Sequence, residues 1–287
     1  MKEFSSIINT SRENDLIINK DFKNYLYDHH INSFDSIWQI QDGQTIKDIK
    51  HRSVVRLDVS KNNNCILYIK KHKLQFIGLR GVIKKCLGIE EFSQGYLEFK
   101  NICDFRKNKL STAIPVAAGE KFHCFFWVKS FLITQDFFPY VSLESLLDQH
   151  PEFINGSDSN NTKYNLIENI ALLARKMHKS RFHHRDFNAT HILLNYNNKS
   201  VNPHLALFDL QRVERRGLLR FRWMTKCLAR LNYTLPENIF NSQDRLRLLL
   251  SYRGKRTINL IDRLLWLLIH IKTQRIKRHT EKKYNKA

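Results

Sequence analysis

The first 33 residues mix polar and asparagine-rich stretches with scattered apolar positions and show no sustained period, which predicts a short extension. The pattern then changes. From Ile37-Trp38-Gln39-Ile40 through Gly43 to Ser53-Val54-Val55-Arg56-Leu57-Asp58-Val59 apolar and polar residues alternate, as on half-buried strands, and Cys65 to Lys70 does so again. This predicts two strands, a third strand and a hairpin turn at Asn62-Asn63-Asn64 between the second and third. Leu74 to Phe105 shifts to helical spacing with interspersed Lys and Glu. Phe122 to Phe131 with Ile133 reads as paired strands, Gln135 to Tyr140 as a hinge, and Leu143-Glu144-Ser145-Leu146-Leu147 as the start of a helix. Pro151 to Thr162, rich in Asn, Ser and Asp, reads as a surface loop. Tyr164 to His178 follows as an amphipathic helix, and the chain is mostly helical from Leu218 on. The expected class is α+β in two lobes: an extension (1–33), a small β-rich N-lobe (34–140), a larger, mainly helical C-lobe (141–271) and a basic tail (272–287).

Composition narrows the function classes. A chain of 287 residues with 42% hydrophobic and 26% charged residues can bury one substantial core or two lobes, and is not disordered. The five cysteines are scattered, with no C-x-x-C pair, so neither a zinc knuckle nor a disulfide framework is expected; they suit a reducing cytoplasm. The N-terminus lacks the basic-then-apolar order of a leader, and no run approaches the ~18 apolar residues of a membrane span. The net charge of +21 is concentrated: residues 211–287 hold 20 Lys/Arg against 5 Asp/Glu. That asymmetry calls for an anionic partner: nucleic acid, an anionic membrane surface, or an acidic or phosphorylated substrate. The aromatics of this stretch sit among apolar neighbours rather than interleaved with the charges, which argues against single-stranded nucleic acid.

Candidate chemistry lies in His183-His184-Arg185-Asp186-Phe187-Asn188-Ala189-Thr190-His191-Ile192-Leu193-Leu194, followed by Leu207-Phe208-Asp209-Leu210-Gln211. In kinase-like folds H-R-D-x-x-x-x-N sets its Asp to accept the proton of the attacking hydroxyl, and a second Asp some twenty residues on carries magnesium. Asp186 and Asp209 have that order and spacing. His191 stands where most kinases have Asn, and nitrogen suits magnesium less well than oxygen. Either only one metal is firmly held, or His191 orients Asp186 or a phosphate instead. Asp209 ends the apolar strand Leu205-Ala206-Leu207-Phe208, where a bound cation would offset the cost of burying a carboxylate. Leu210 and Gln211 replace the Phe and Gly of D-F-G, so a flipping switch is not expected.

These motifs resemble the lipopolysaccharide kinase (Kdo/WaaP) family, whose loop reads HRDxxxxHxLL and whose metal motif reads IDL or FDL. The resemblance extends over roughly residues 35–255. It takes in Ile66-Leu67-Tyr68-Ile69-Lys70, Gly95-Tyr96-Leu97-Glu98, Ile114-Pro115-Val116-Ala117-Ala118-Gly119 as a proline turn, and the helices around Leu228-Ala229-Arg230-Leu231 and Asp244-Arg245-Leu246-Arg247. It implies a two-lobe protein-kinase-like fold using ATP and magnesium. It also implies Lys70 as the phosphate lysine, Glu98 as its partner, Asp186 as the catalytic base, and Asp209 with His191 at the metal. The acceptor it implies is an inner-core sugar of lipopolysaccharide, heptose before Kdo, at the cytoplasmic face of the inner membrane. Alternation alone leaves Lys71 and Lys73 as rivals to Lys70. A kinase of another acceptor and a catalytically silent membrane-bound scaffold are the rival functions. The segment Leu260 to Ile271, with the basic residues after it, reads either as an interfacial anchor or as the last core helix with a solvated tail.

Overall fold

The computed structural model describes residues 8–13, 15–40, 42–58, 65–79, 82–83, 87, 93–123, 126–155, 159–195 and 203–284. The chain divides into two compact units, 1–137 and 138–287, and each has its own architecture. The Asn62-Asn63-Asn64 turn lies outside the described residues.

In the first unit, seven antiparallel strands form one sheet in the order β1-β2-β6-β7-β5-β4-β3. They are β1 (Thr10–Glu13), β2 (Leu16–Asn19), β3 (Gln44–Ile49), β4 (Arg52–Asp58), β5 (Ile66–Phe76), β6 (Pro115–Phe122) and β7 (Trp127–Gln135). β1 and β2 fall within the 33 residues expected to be an extension. Leu16 and Ile18 bury one face of β2, and Asn19 Nδ2 donates to the carbonyl of Pro115 at 3.0 Å. Two apolar residues two apart are too brief a period to register in the sequence; pairing with the distant β6 completes the strand. Pro115 opens β6 instead of making a turn, a strand position where its missing N–H is tolerated.

Ile37-Trp38-Gln39-Ile40 is not a strand. Most of it belongs to α2 (Phe34–Gln39), which follows α1 (Lys23–Asp28). Ser33 and Ser36 cap α2 reciprocally, each backbone N–H donating to the other's hydroxyl at 3.1 Å, and the i, i+3 pair Phe34 and Ile37 is buried. Capping and a three-residue repeat override a four-residue alternation. Leu26, Phe34 and Ile37 pack with Leu67 and Ile69 of β5 into one core. Lys71, two residues past Ile69 and so on the same face, donates to the carbonyls of Trp38 (2.9 Å) and Ile40 (3.1 Å). Its ammonium thus satisfies carbonyls left open at the end of α2.

Lys70 alternates to the opposite face, toward α3 (Gln94–Lys107). Gly95, in the first turn of α3, lies against β7: a Cβ there would stand 2.4 Å from the carbonyl oxygen of Phe131. Gly95 N–H also donates to Ser130 Oγ at 3.2 Å.

In the second unit, β10 (Ile192–Asn195) pairs with β8 (Tyr140–Ser142) and β11 (Leu205–Leu207), while β9 (Phe182–His184) pairs with β12 (Val213–Arg215). The helices are α4 (Leu143–Gln149), α5 (Glu152–Asn155), α6 (Ser159–Lys179), α7 (Arg220–Thr234), α8 (Ser242–Arg253) and α9 (Leu260–Tyr284). α5 and the start of α6 occupy much of Pro151–Thr162, expected to be a loop; burial of Ile154 draws the short apolar stretch of α5 inward. α6 packs on α8 and α7 on α9. Gly254 ends α8 at φ 67°, the left-handed closure that glycine adopts at least cost.

α9 has two faces. Asp262, Leu265, Ile269 and Thr273 are buried, and Thr273 Oγ1 donates to the carbonyl of Ala229 on α7. Leu260, Ile261, Leu264, Leu267 and Ile271 are exposed. The helix runs through most of the residues expected to be a basic tail. No described helix is long and apolar enough to cross a membrane.

Candidate active site

Within the first unit, Lys70 Nζ lies 2.8 and 2.9 Å from the two carboxylate oxygens of Glu98 on α3. Their side chains are 12% and 3% exposed, so neither charge has enough water to do without the other. This pairing separates the three lysines that alternation left open. Lys71 is committed to α2, Lys73 bridges an exposed Asp48 at 2.6 Å, and Lys70 is held extended by a helix carboxylate.

Within the second unit, the segment after β9 is fixed by a chain of hydrogen bonds. His184 is fully buried, and burial pushes its imidazole down to about 4, so it is neutral. Its Nε2 lies 3.2 Å from the carbonyl of Phe208, which can only accept a hydrogen bond and so makes Nε2 the N–H; its Nδ1 accepts from Asp186 N–H at 3.1 Å. His191 stacks on His184 with ring centroids 5.8 Å apart and places Nδ1 2.9 Å from the backbone carbonyl of Asp186. Asn188 Oδ1 accepts from His191 N–H at 3.1 Å, Phe187 is buried, and Ala189 N–H donates to Thr234 Oγ1 at 3.0 Å. Both backbone groups of Asp186 are thereby held by histidine rings, and its carboxylate is left a fifth exposed.

Asp209 sits just beyond β11 with φ 54° and ψ 63°. Asp tolerates this left-handed conformation better than most residues, and strain of this kind gathers at functional sites. Its Oδ2 lies 3.7 Å from His191 Nε2. Because His191 Nδ1 faces a carbonyl, Nδ1 carries the proton in the neutral ring and Nε2 presents a lone pair on the Asp209 side. The donor set fits a divalent cation: the Asp209 carboxylate supplies the oxygen magnesium prefers, and the His191 nitrogen is the softer companion.

Sequence reading missed Arg212 and Arg230. Arg212 Nη1 reaches both oxygens of Asp186, at 2.9 and 3.0 Å, and Arg230 Nη2 lies 3.8 Å from one of them. Arg212, three residues past Asp209, was within reach of motif inspection. Arg230 comes from α7, in the Leu228-Ala229-Arg230-Leu231 stretch that carries the resemblance, but nothing in that stretch gives it a role at the site. His178 and His183 are buried with ring centroids 5.1 Å apart; His178 Nε2 and both His183 nitrogens have no hydrogen-bond partner among the described residues. Burial pushes them down to about 3 and about 4.

Residues 38–252, about three-quarters of the chain, match the lipopolysaccharide kinase (Kdo/WaaP) family. The chain is 26% identical over 247 residues to lipopolysaccharide core heptose(I) kinase WaaP of Escherichia coli strain K12, covering 84% of this chain and 90% of the relative. It is 26% identical over 223 residues to the enzyme of that name from Pseudomonas aeruginosa, covering 76% and 80%. Among solved structures, WaaP in complex with acyl carrier protein superposes with a TM-score of 0.68 at 23% identity, over 91% of this chain and 98% of that one, and so shares its fold. The two-lobe kinase-like architecture and a family match across both units lead to one conclusion: this chain belongs to the lipopolysaccharide kinase (Kdo/WaaP) family.

Proposed function

We propose that this protein transfers the γ-phosphoryl group of ATP to a hydroxyl of an inner-core lipopolysaccharide sugar, a heptose in preference to Kdo. Membership of a kinase family makes it a phosphotransferase with an alcohol acceptor, and the heptose kinases among its relatives favour heptose. The observation that carries the reading is Asp186, with its backbone pinned by His184 and His191 and its carboxylate a fifth exposed and held by Arg212. Asp186 accepts the hydroxyl proton as the oxygen attacks phosphorus, and Arg212 orients the carboxylate and supplies positive charge where phosphoryl oxygens gather. Lys70, kept extended by Glu98, takes the nucleotide phosphates. Asp209 holds magnesium, with His191 Nε2 turned toward it. When bound, that ion neutralises phosphate charge. The lobes we assign are an N-lobe over 34–140 and a C-lobe over 141–271, with Gln135–Tyr140 as the hinge segment of the chain.

We further propose a place at the cytoplasmic face of the inner membrane. The exposed apolar stripe of α9, with Arg275, Lys277, Arg278, Lys282 and Lys283 beyond it, suits an anionic leaflet. A fold relative solved in complex with acyl carrier protein makes an acyl carrier protein a second occupant to test on that surface. Nucleic acid is not proposed as a partner.

The test is transfer from labelled ATP to purified inner-core glycolipid. Asp186→Asn should lower kcat by ~100-fold or more with nucleotide binding kept, and Asp209→Asn should weaken magnesium-dependent nucleotide binding as well. Near wild-type transfer by either variant would remove that residue's assignment. Transfer to a protein or small-molecule acceptor in place of the glycolipid would overturn the acceptor.

A further inference from the structure

A pocket of about 290 Å³ in the second unit is lined by Arg185, Arg212, Trp223, Lys226, Arg230 and Lys272, among others, and no acidic residue lines it. Two of these cations also touch the candidate base: Arg212 binds both oxygens of Asp186, and Arg230 stands 3.8 Å from one. The pocket therefore shares a wall with the Asp186 carboxylate.

Its charge is only partly answered. Glu214 pairs with Arg185 and with Arg216, and Asp186 occupies Arg212 and Arg230. Lys226 on α7 and Lys272 on α9 make no ion pair among the described residues, and Glu214 acts on Lys226 only weakly and at longer range. Lys226 is pushed below the usual lysine range by burial and then by Arg222, Lys272 and Arg185, the sign of cations crowding one another. One indole helps hold the group together: Lys226 Nζ lies 4.1 Å from the Trp223 ring centroid, Arg216 4.8 Å and Arg185 5.9 Å. Like charges gathered in a pocket at such cost are what an oxyanion needs, because it would supply the missing counter-charge while accepting several N–H donors at once.

We propose that this pocket is an anion subsite for the acceptor, receiving a carboxylate or phosphate carried by the glycolipid beside the hydroxyl presented to Asp186. The inference rests on the role of Asp186 proposed above and adds what selects the acceptor. Lys226 and Lys272 act on acceptor affinity alone, since neither touches Asp186. A neutral sugar offers these cations nothing, so the subsite discriminates by charge, independently of ring shape.

The experiment compares the full-length protein with its Lys226→Gln/Lys272→Gln variant, using Lys226→Arg/Lys272→Arg as the charge-keeping control. The expected result is a rise of about tenfold or more in KM for the native glycolipid, the equivalent of about 1.4 kcal/mol or more. kcat should stay within about twofold, KM for ATP should not change, and the arginine pair should recover most of the loss. Wild-type enzyme given acceptor with its carboxyls reduced to alcohols, or with its phosphates removed, should show the same penalty for whichever group occupies the pocket, and the glutamine pair should add nothing to it. An unchanged acceptor KM, or a rise in KM for ATP in its place, overturns the proposal. Saturation-transfer NMR with D-glucuronate, glucose 6-phosphate and glucose separates this from failure of the kinase reading. Binding of either anion but not glucose, lost in the glutamine pair, upholds the pocket even if no glycolipid is phosphorylated. Equal signals from all three sugars in both proteins overturn it.

Discussion

Removing both charges of the Lys70–Glu98 pair should cost less than the two single removals added together. Two unit charges 2.8 Å apart attract by about 6 kcal/mol at an effective dielectric near 20, and most of that gain is offset by the water each group gave up on burial. Lys70→Met leaves the Glu98 carboxylate, 3% exposed, without its ammonium, and should lower local stability by roughly 3 kcal/mol. Glu98→Gln leaves Lys70 with an amide oxygen and 12% exposure, a smaller loss of about 2 kcal/mol. The double change removes both charges, so its loss should fall short of the summed singles by about 1–3 kcal/mol. The assay is native-state hydrogen exchange at the amides of β5 and α3, where the pair sits, with denaturant used to expose the local opening reaction. In phosphoryl transfer the same cycle should be non-additive in kcat/KM, the double variant being little worse than Lys70→Met. Stability losses that add to within about 0.5 kcal/mol would refute the pairing as an energetic unit, and additive losses in kcat/KM would remove Glu98 from the nucleotide site.

Gly95→Ala should destabilise the first unit by about 2 kcal/mol or more, because the new Cβ meets a backbone oxygen that cannot rotate away; a thermal melt matching wild type would contradict the close approach. His178 is held neutral, with its folded value near 3, below the ~6.5 of an unfolded histidine. The unfolded chain therefore binds the extra proton between those values. Stability is full above about pH 6.5 and falls on acidification toward pH 3, by up to about 1.4 kcal/mol per pH unit for that one proton. Urea unfolding at pH 7, 6 and 5 should show a shallower loss in His178→Gln, and parallel slopes would exclude His178 as a source. His191→Asn should keep a donor to the Asp186 carbonyl and offer an oxygen on the Asp209 side, while His191→Ala loses both; activity should fall most in Ala, and most at low magnesium. Identical magnesium dependence in all three proteins would remove the metal role.

Local chemistry was legible in the linear chain. The H-R-D loop, Asp209 after an apolar strand, and a lysine closing an alternating run each depend on neighbours within a few residues, where period and residue type speak directly. The choice among Lys70, Lys71 and Lys73 was not legible, because alternation assigns faces but not what covers them. α2 on one face and α3 on the other give these lysines different partners, the Trp38 and Ile40 carbonyls for Lys71 and the Glu98 carboxylate for Lys70. The same limit explains β1 and β2, whose pairing partner β6 lies far along the chain, and the helix at Phe34–Gln39, where a reciprocal serine cap outweighed a short alternation. It also explains Arg230, Lys226 and Lys272, brought around one pocket only when α7 packs on α9. Residue type and short-range order name the groups able to carry charge and protons; the packed fold selects which of them meet, because desolvation and pairing act between residues that the chain order keeps apart.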